Sequence, residues 1–442
     1  MHKLKPTGAL LLLLLTITVG RPTHAIDLLD IYEYARSGDP QFKQAEAARR
    51  VVREQRPQAI ARLLPDLSFS ADTVTNEQNN MQEGDFGQQG KVTFNSRGYR
   101  LSLTQPAFRW DRLVGLRQAG SRILQAEAEL SAARQGLILR TTEAYFNVLA
   151  AEDTLAFADA EEKSLGRQLE QVRQRFEVGL TAITDVQEAQ AGHDRAVADA
   201  ITAQNSVDDA REALREITGE YFSDLAGLGK NMPLLRPEPD DIDNWTDTAL
   251  EQNLSVTAAR HAVDTARTEI KRQFAGHLPT LDIVASHGFG KTGGRFGSSE
   301  STTSAVGLEL NMPVFQGGLV NSKVREARQQ LQQQLQGLER TRREAQRDTR
   351  QAFLGVLSGI SRVLALQQAV VSSETALQAT EAGFEVGTRT AVDVVAAERD
   401  TFEARRDLAR ARYDYLLDSM RLKQASGTLA GDDIGHINTW LE

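Results

Sequence analysis

Phosphate chemistry is the first thing the run His287-Gly-Phe-Gly-Lys-Thr-Gly-Gly suggests, because a glycine-rich loop ending in lysine and threonine can cradle a phosphate with backbone N–H groups. The match fails at two points. The first required glycine position is Ala285, and a Gly/Ser-rich stretch follows where the motif needs a helix. The seven histidines show no metal-ligand spacing such as His-Glu-x-x-His, and the chain has no cysteine to supply a thiol, a disulfide or a lipid anchor. Arg340, Arg342, Arg343, Arg347 and Arg350 read as a helix surface rather than a polyanion site. The residues thus offer no catalytic constellation, cofactor site or metal site, and the chain is not expected to be an enzyme.

What the sequence does offer is repetition. Residues 176–190 recur at 384–398, an offset of 208 without a gap, keeping Phe176/Phe384, Glu177/Glu385, Val178/Val386, Gly179/Gly387, Asp185/Asp393, Val186/Val394 and Ala189/Ala397. The same offset pairs Thr218-Gly219 with Ser426-Gly427. Nearer the start of each half it becomes 214, as at Leu64-Pro65 and Leu278-Pro279, and it is 207 at Leu101/Leu308 and Pro106/Pro313. Such a period marks a duplicated half-protein, with a first repeat over 26–235, a second over 236–430 and a tail over 431–442. Copy one carries about seven extra residues between 71 and 101, a difference expected to settle in an exposed loop tip.

Residues 1–25 combine Lys3 and Lys5, an apolar run from Ala9 to Val19 and a small-residue exit at Ala25, the pattern of a cleaved secretory signal. No later stretch is expected to reach the ~20 apolar residues of a spanning helix. Without Lys3, Lys5 and Arg21 the formal charge moves from −9 to −12, which argues against a nucleic-acid partner.

Helical periodicity fills most of the chain. Val186, Ala189, His193, Ala196, Ala200, Ala203, Val207, Ala210, Leu214 and Ile217 alternate spacings of three and four, a coiled-coil seam that the second copy repeats from Val394 to Ala425. His193 is expected to pack in that seam rather than bind a ligand. The runs from Pro106 to Gly179 and from Pro313 to Gly387 would be helices of about 110 Å. The shorter runs after the glycines are expected to be continued end to end by helices near Gln41–Leu63 and Leu250–His277, the first kinked or shortened by Pro57.

Between these helices the pattern changes to alternation, over about 67–75, 92–105, 281–290 and 302–311, with polar loops near 76–91 and 290–301. Strands of this length suit a tilted crossing of a bilayer. Two hairpins leave open edges in lipid, so several chains must share one barrel.

The doubled tip sequences Arg175-Phe-Glu-Val-Gly-Leu and Phe384-Glu-Val-Gly-Thr-Arg-Thr, with His277-Leu-Pro-Thr-Leu and Asn311-Met-Pro-Val-Phe-Gln-Gly-Gly-Leu-Val-Asn-Ser, resemble the TolC family of bacterial outer-membrane efflux channels. The resemblance implies a mainly α fold with membrane β-structure: a homotrimer whose twelve strands form one barrel in outer-membrane lipid, continued by a periplasmic α-helical barrel. It implies an exit duct for efflux or type I secretion, partnered by a periplasmic adaptor and an inner-membrane transporter.

By the same resemblance Thr184 and Asp185 face Arg389 in links that close the periplasmic end, with Gln171 as a further member. Phe384 stands where the family often has tyrosine, so a hydroxyl link to Asp185 is lost. Asp393 would form one acidic ring at the inner mouth; close relatives have a second, where this chain has Ala396. Val178, Gly179, Leu180, Val386, Gly387 and Thr388 resemble adaptor-docking tips. The competing reading is a periplasmic coiled-coil adaptor or scaffold that never enters a membrane.

Overall fold

A computed structural model describes residues 25–80, 90–229, 232–294 and 297–442, so the expected signal segment lies outside the described residues except for Ala25. Element order follows the duplication. The first copy supplies α1 (Leu28–Gly38), α2 (Pro40–Arg53), α3 (Gln55–Ala61), β1 (Asp66–Asn80), β2 (Gly90–Phe108), α4 (Trp110–Glu177) and α5 (Ile183–Thr218). The second supplies α6 (Ile242–Gln252), α7 (Leu254–Phe274), β3 (Thr280–Gly294), β4 (Gly297–Asn311), α8 (Leu319–Glu385) and α9 (Ala391–Ser426), and α10 (Gly431–Asn438) closes the chain.

The strands form one antiparallel sheet in the order β1-β2-β3-β4. Alternation puts Leu67, Phe69, Leu101, Leu103, Ile283, Leu308 and Leu310 on one face, and in register they form an exposed apolar belt. Asp66, Ser68, Ser70, Ser102, Thr104, Asp282 and Glu309 line the other face. A sheet oily on one side and polar on the other is the wall of a water-filled membrane barrel.

The strands are longer than the sequence suggested, 15 to 19 residues each: they take in 76–80 and 90–91 of the stretch read as a loop at 76–91, and most of the one at 290–301. Past the apolar belt both faces meet water, so the alternation fades while the backbone ladder continues. Nine positions separate Asn80 from Gly90 and two separate Gly294 from Gly297, so the extra length of copy one (9 − 2 = 7) falls between paired strand ends. Strand β2 also runs past Pro106, where the register shifts, and the long helix starts at Trp110. Proline is tolerated there because a bulge asks for no ladder hydrogen bond.

Helices α4 and α8 have 68 and 67 residues, and α5 and α9 have 36 each. Helix α5 packs along α4, and α9 along α8, through the small-residue seam: Val186, Ala189, Ala196, Ala200, Ala203 and Val207 are buried. His193 lies in it with its ring against Gly166, as a packing residue.

The shorter helices are continued by broken ones in both copies. Asp39 and Asn253, 214 positions apart, have nearly the same backbone angles and cap α2 and α7 by accepting backbone N–H bonds. Each break is seated on the end of a short helix: Gly38 meets the Thr218 carbonyl, and Gly427 meets that of Gln252. A second break at Glu54 precedes Pro57, whose ring denies its i−4 carbonyl a helical partner.

At mid-height a single core joins both copies, with Leu28, Ile31, Leu137, Tyr145, Phe146, Leu416 and Ile434 essentially inaccessible. Residues 431–442, read as a tail, contribute α10 to it. Copy one offers no repeat of Ile434 and Ile437 from which their burial could be inferred. Asn438 accepts from Leu28 N at 3.1 Å and donates to Asp27 at 2.7 Å, fastening the last helix to the first.

The expectation about spanning helices is corrected at α8, where an 18-residue window reaches a mean hydropathy of 1.5, only 11% of it buried. On this helix Phe353, Val356 and Val363 feed the core, while Leu354, Leu364 and Val371 stay exposed.

Substitution at the seated breaks should be costly. A Cβ on Gly427 would lie 2.4 Å from the Gln252 carbonyl oxygen, and the residue has φ 82. The conformation alone costs an L-residue about 1–2 kcal/mol, so Gly427→Ala should lower the melting temperature. Gly431→Ala, which meets nothing within 4 Å, should change stability by less than about 0.5 kcal/mol. Circular dichroism melting of the two variants checks the contrast.

Candidate gate and docking tips

Each helical hairpin ends in the same turn. Gly179 and Gly387 adopt φ 74 and 79, and the following N–H groups, of Leu180 and Thr388, donate back to the Arg175 and Gly383 carbonyls at 2.8 Å. This left-handed glycine turn satisfies the last carbonyls of α4 and α8 and reverses the chain in a few residues. Val178, Leu180 and Val386 stand 70–76% exposed beside the glycines, with Thr388 also at the surface. The tips thus offer short apolar knobs with no cover from their own chain.

Beyond each turn an aspartate caps the returning helix. Asp185 accepts from the Thr181 hydroxyl and from Ala182 N at 3.3 Å. Asp393 accepts from Thr390 N at 2.8 Å and from its hydroxyl at 3.0 Å, while Asp393 N donates to the same hydroxyl. The Thr390 backbone and hydroxyl bonds hold the Asp393 carboxyl below its ordinary pKa, with a smaller contribution from the nearby Arg389 charge.

The expected gate residues are near the tips, but one chain does not link them. Gln171, Thr184 and Arg389 are exposed, and among the described residues Arg389 forms no ion pair with Asp185. The Asp185 carboxylate is occupied by its own helix terminus, where free N–H groups lie closer than any partner on the other hairpin. Arg389 instead lays its side chain against Gly383.

Other contacts tie α4 to the second hairpin. The Arg175 guanidinium lies 4.5 Å from the centroid of the Phe384 ring, which packs on Leu169, Val172, Val186, Ala189 and Ala391. Gln168 donates to the Ala391 carbonyl at 3.1 Å, Ser164 to Glu398 at 2.6 Å, and Arg399 pairs with Glu161 at 3.5 Å. Glu398 is a buried carboxylate whose second oxygen has no hydrogen-bond partner. Sequence reasoning missed it because it lies one position beyond the Ala397 seam position and resembles any charged coiled-coil flank.

Elsewhere, the run from His287 is strand β3, paired on both sides, with no helix to complete a phosphate loop. The arginines at 340, 343, 347 and 350 pair with acidic neighbours on an exposed helix surface. Among the described residues no group of three or more His, Asp or Glu side chains is placed to hold a metal.

The family model described as outer membrane efflux protein matches residues 31–220 and 245–428. The chain belongs to that family. It is 36% identical over 434 residues to outer membrane protein TolC of Escherichia coli (strain K12), covering 95% of this chain and 86% of that protein. It is 31% identical to the alkaline protease secretion protein AprF of Pseudomonas aeruginosa, covering 97% of this chain and 89% of that one. Among solved structures, the Campylobacter jejuni CmeC outer membrane channel superposes with a TM-score of 0.79 at 17% identity, over 94% of this chain and 90% of that one.

The family is one of outer-membrane channels rather than enzymes, and this efflux protein resides in the outer membrane of a Gram-negative cell with a large periplasmic extension. The reading as a scaffold that never enters a membrane is thereby set aside.

Burial raises the Glu398 pKa; Ser164 and Arg167 pull it down and Glu381 pushes it up. Because the packed-state value lies above the unpacked one, packing binds the extra proton. This stabilisation is complete below the ordinary glutamate pKa and is lost as pH rises through the raised value. Glu398→Gln should therefore raise the melting temperature at pH 7.5 by roughly 2 °C while changing it little at about pH 4, below the ordinary glutamate pKa. Scanning calorimetry of both proteins at the two pH values checks this, and parallel shifts would show that Glu398 does not titrate with packing.

Proposed function

We propose that three copies of this chain form one duct, its β-sheets closing a twelve-stranded barrel and its long helices a periplasmic tube. The observation carrying this reading is the four-stranded sheet, apolar on one face and polar on the other, with β1 and β4 left as outer edges. Edges cannot be left open in hydrocarbon, where each unpaired backbone group costs several kcal/mol. Pairing β1 of one protomer with β4 of the next removes both. The exposed Leu354, Leu364 and Val371 of α8 give the same assembly apolar surface to cover at the level of the helices.

The duct moves cargo passively from a periplasm-spanning assembly to the exterior. Protein cargo is supported by the alkaline protease secretion protein AprF and by the proteases secretion protein PrtF of Dickeya chrysanthemi, 27% identical over 98% of this chain and 95% of that protein. A periplasmic adaptor would dock on Val178-Gly179-Leu180 and Val386-Gly387-Thr388, linking the duct to an inner-membrane transporter. Glycine lets the backbone turn tightly there, and the flanking apolar side chains give a partner helix something to bury.

Closure would place Arg389 of one protomer against Thr184 and Asp185 of its neighbour, with Gln171 alongside. Within one chain Asp185 is taken up by Thr181 and Ala182, so on this proposal the link to Arg389 would be made between protomers. Single exposed ion pairs are worth only ~0–1 kcal/mol, so threefold repetition is what would make it effective. Three copies of Asp393 around the axis would repel one another, raising from its lowered single-chain value a pKa that Thr390 holds down.

Detergent-extracted protein should run as a trimer in sedimentation velocity, with its β-signal in the membrane fraction; a stable monomer in the soluble periplasm would contradict the duct. In planar bilayers, Arg389→Ser should raise conductance. Asp393→Ala should abolish block by multivalent cations added from the periplasmic side, a block weaker than that of a two-ring channel. Equal block in wild type and variant would remove Asp393 from the mouth.

A further inference from the structure

We infer that Arg175 and Phe384 form a cation–π clasp that holds the two hairpin tips of one protomer together and restrains opening of the periplasmic end; this rests on the gated-duct reading above. Arg175 lies in the last turn of α4 and Phe384 in the last turn of α8, so the pair joins the two hairpins at their extremities. The guanidinium carbon is 4.5 Å from the ring centroid, inside the ~6 Å range of the interaction. Among the described residues Arg175 has no carboxylate partner, although Glu177 is close in sequence and Asp185 lies across the turn. Asp185 is held by Thr181 and Ala182, which leaves the ring face as the place where the Arg175 charge is accepted.

The ring is itself held. It packs against a small apolar cluster of Leu169, Val172, Val186, Ala189 and Ala391, contributed by α4, α5 and α9. Phe384 therefore reaches out of α8 into the first hairpin, with one part of the ring in the cluster and another under the guanidinium. The next polar ties between the hairpins, Gln168 to Ala391 and Ser164 to Glu398, start seven and eleven residues further up α4, about 10 and 16 Å from Arg175 along the helix. A hairpin swinging outward would separate Arg175 from Phe384 before those ties. The contact needs a ring face and a cation but no hydroxyl, so phenylalanine serves where a tyrosine link to Asp185 is unavailable.

An exposed cation–π contact shifts an equilibrium about two- to fivefold. If the three protomers of a duct open together the factors multiply, to on the order of ten- to a hundredfold. That is enough to move a closed resting state to one with frequent openings.

Single-channel recording of full-length reconstituted trimers tests the clasp. Arg175→Gln and Phe384→Leu, which keeps apolar volume in the cluster, should each raise open probability on the order of tenfold or more. Phe384→Tyr and Arg175→Lys should stay near wild type. The Arg175→Gln/Phe384→Leu double variant should open no further than either single one, because each removes the same contact. Unchanged gating in Arg175→Gln while Arg389→Ser opens the channel would overturn the clasp and leave the gated duct intact. So would additive effects in the double variant. Trimers that conduct fully in wild type and in every variant, Arg389→Ser included, would instead overturn the gate, and the clasp with it.

Discussion

The unpaired edges of a four-stranded sheet govern the rest of the molecule. In the membrane-facing stretches, 66–75 on β1 and 302–311 on β4, backbone groups on the outer side have no neighbouring strand within the chain. Lipid offers them no hydrogen-bond partners, so each edge requires another strand of matching length. Duplication provides that match. Strands β1 and β3 start 214 positions apart with 15 residues each, so each chain brings two nearly equivalent hairpins to the shared barrel. Everything below the membrane inherits the same doubling, and the helices can stand as one tube only because each copy delivers one long and one composite run of comparable reach.

The joint between barrel and tube has its own tie. Arg109, between β2 and α4, binds Asp282 on β3 with its Nε 3.0 Å from one carboxylate oxygen, and Asp282 is almost fully buried. A buried pair of this kind adds little net stability over an apolar substitute, but removing one partner strands the other charge. Its use here is geometric, since it fixes the direction in which the 68-residue helix leaves the sheet. An angular error at that point would be carried along about 100 Å of helix.

Much of this was legible in the sequence because duplication supplies its own control: a glycine such as Gly179 is more than a turn former when Gly387 repeats it 208 positions later. The helix seams and the hairpin carrying the extra residues were readable for that reason. The break at Asn253 was not: it falls inside the run expected as one helix over Leu250–His277, because Asn253 caps α7 with a short polar side chain that leaves the apolar spacing on either side intact. The strand lengths were not, because alternation records a boundary between oil and water, and the ladder continues where both faces are wet. Contacts between the copies were also hidden. Arg109 with Asp282, Arg175 with Phe384 and Ser164 with Glu398 join residues that play different parts in the two halves, so no repeat announces them. The contacts of Asp185 with Thr181 and Ala182 were also not read from the sequence, although the nearest hydrogen-bond donors to a carboxylate at a helix start are those of its own first turn.

The fastening of Asn438 to Leu28 and Asp27 bears on how the chain is assembled in time. The mid-height core includes Ile434 and Ile437 of the last helix beside Leu28 and Ile31 of the first, and the Leu28–Asn438 hydrogen bond beside them spans 410 positions. Contacts at such separation carry a large loop-closure cost and form late. The α4/α5 and α8/α9 hairpins can zip locally as soon as their residues are available. The belt that unites them waits for residues 431–442, so until those have been made and exported this protein is a set of finished rods without a waist.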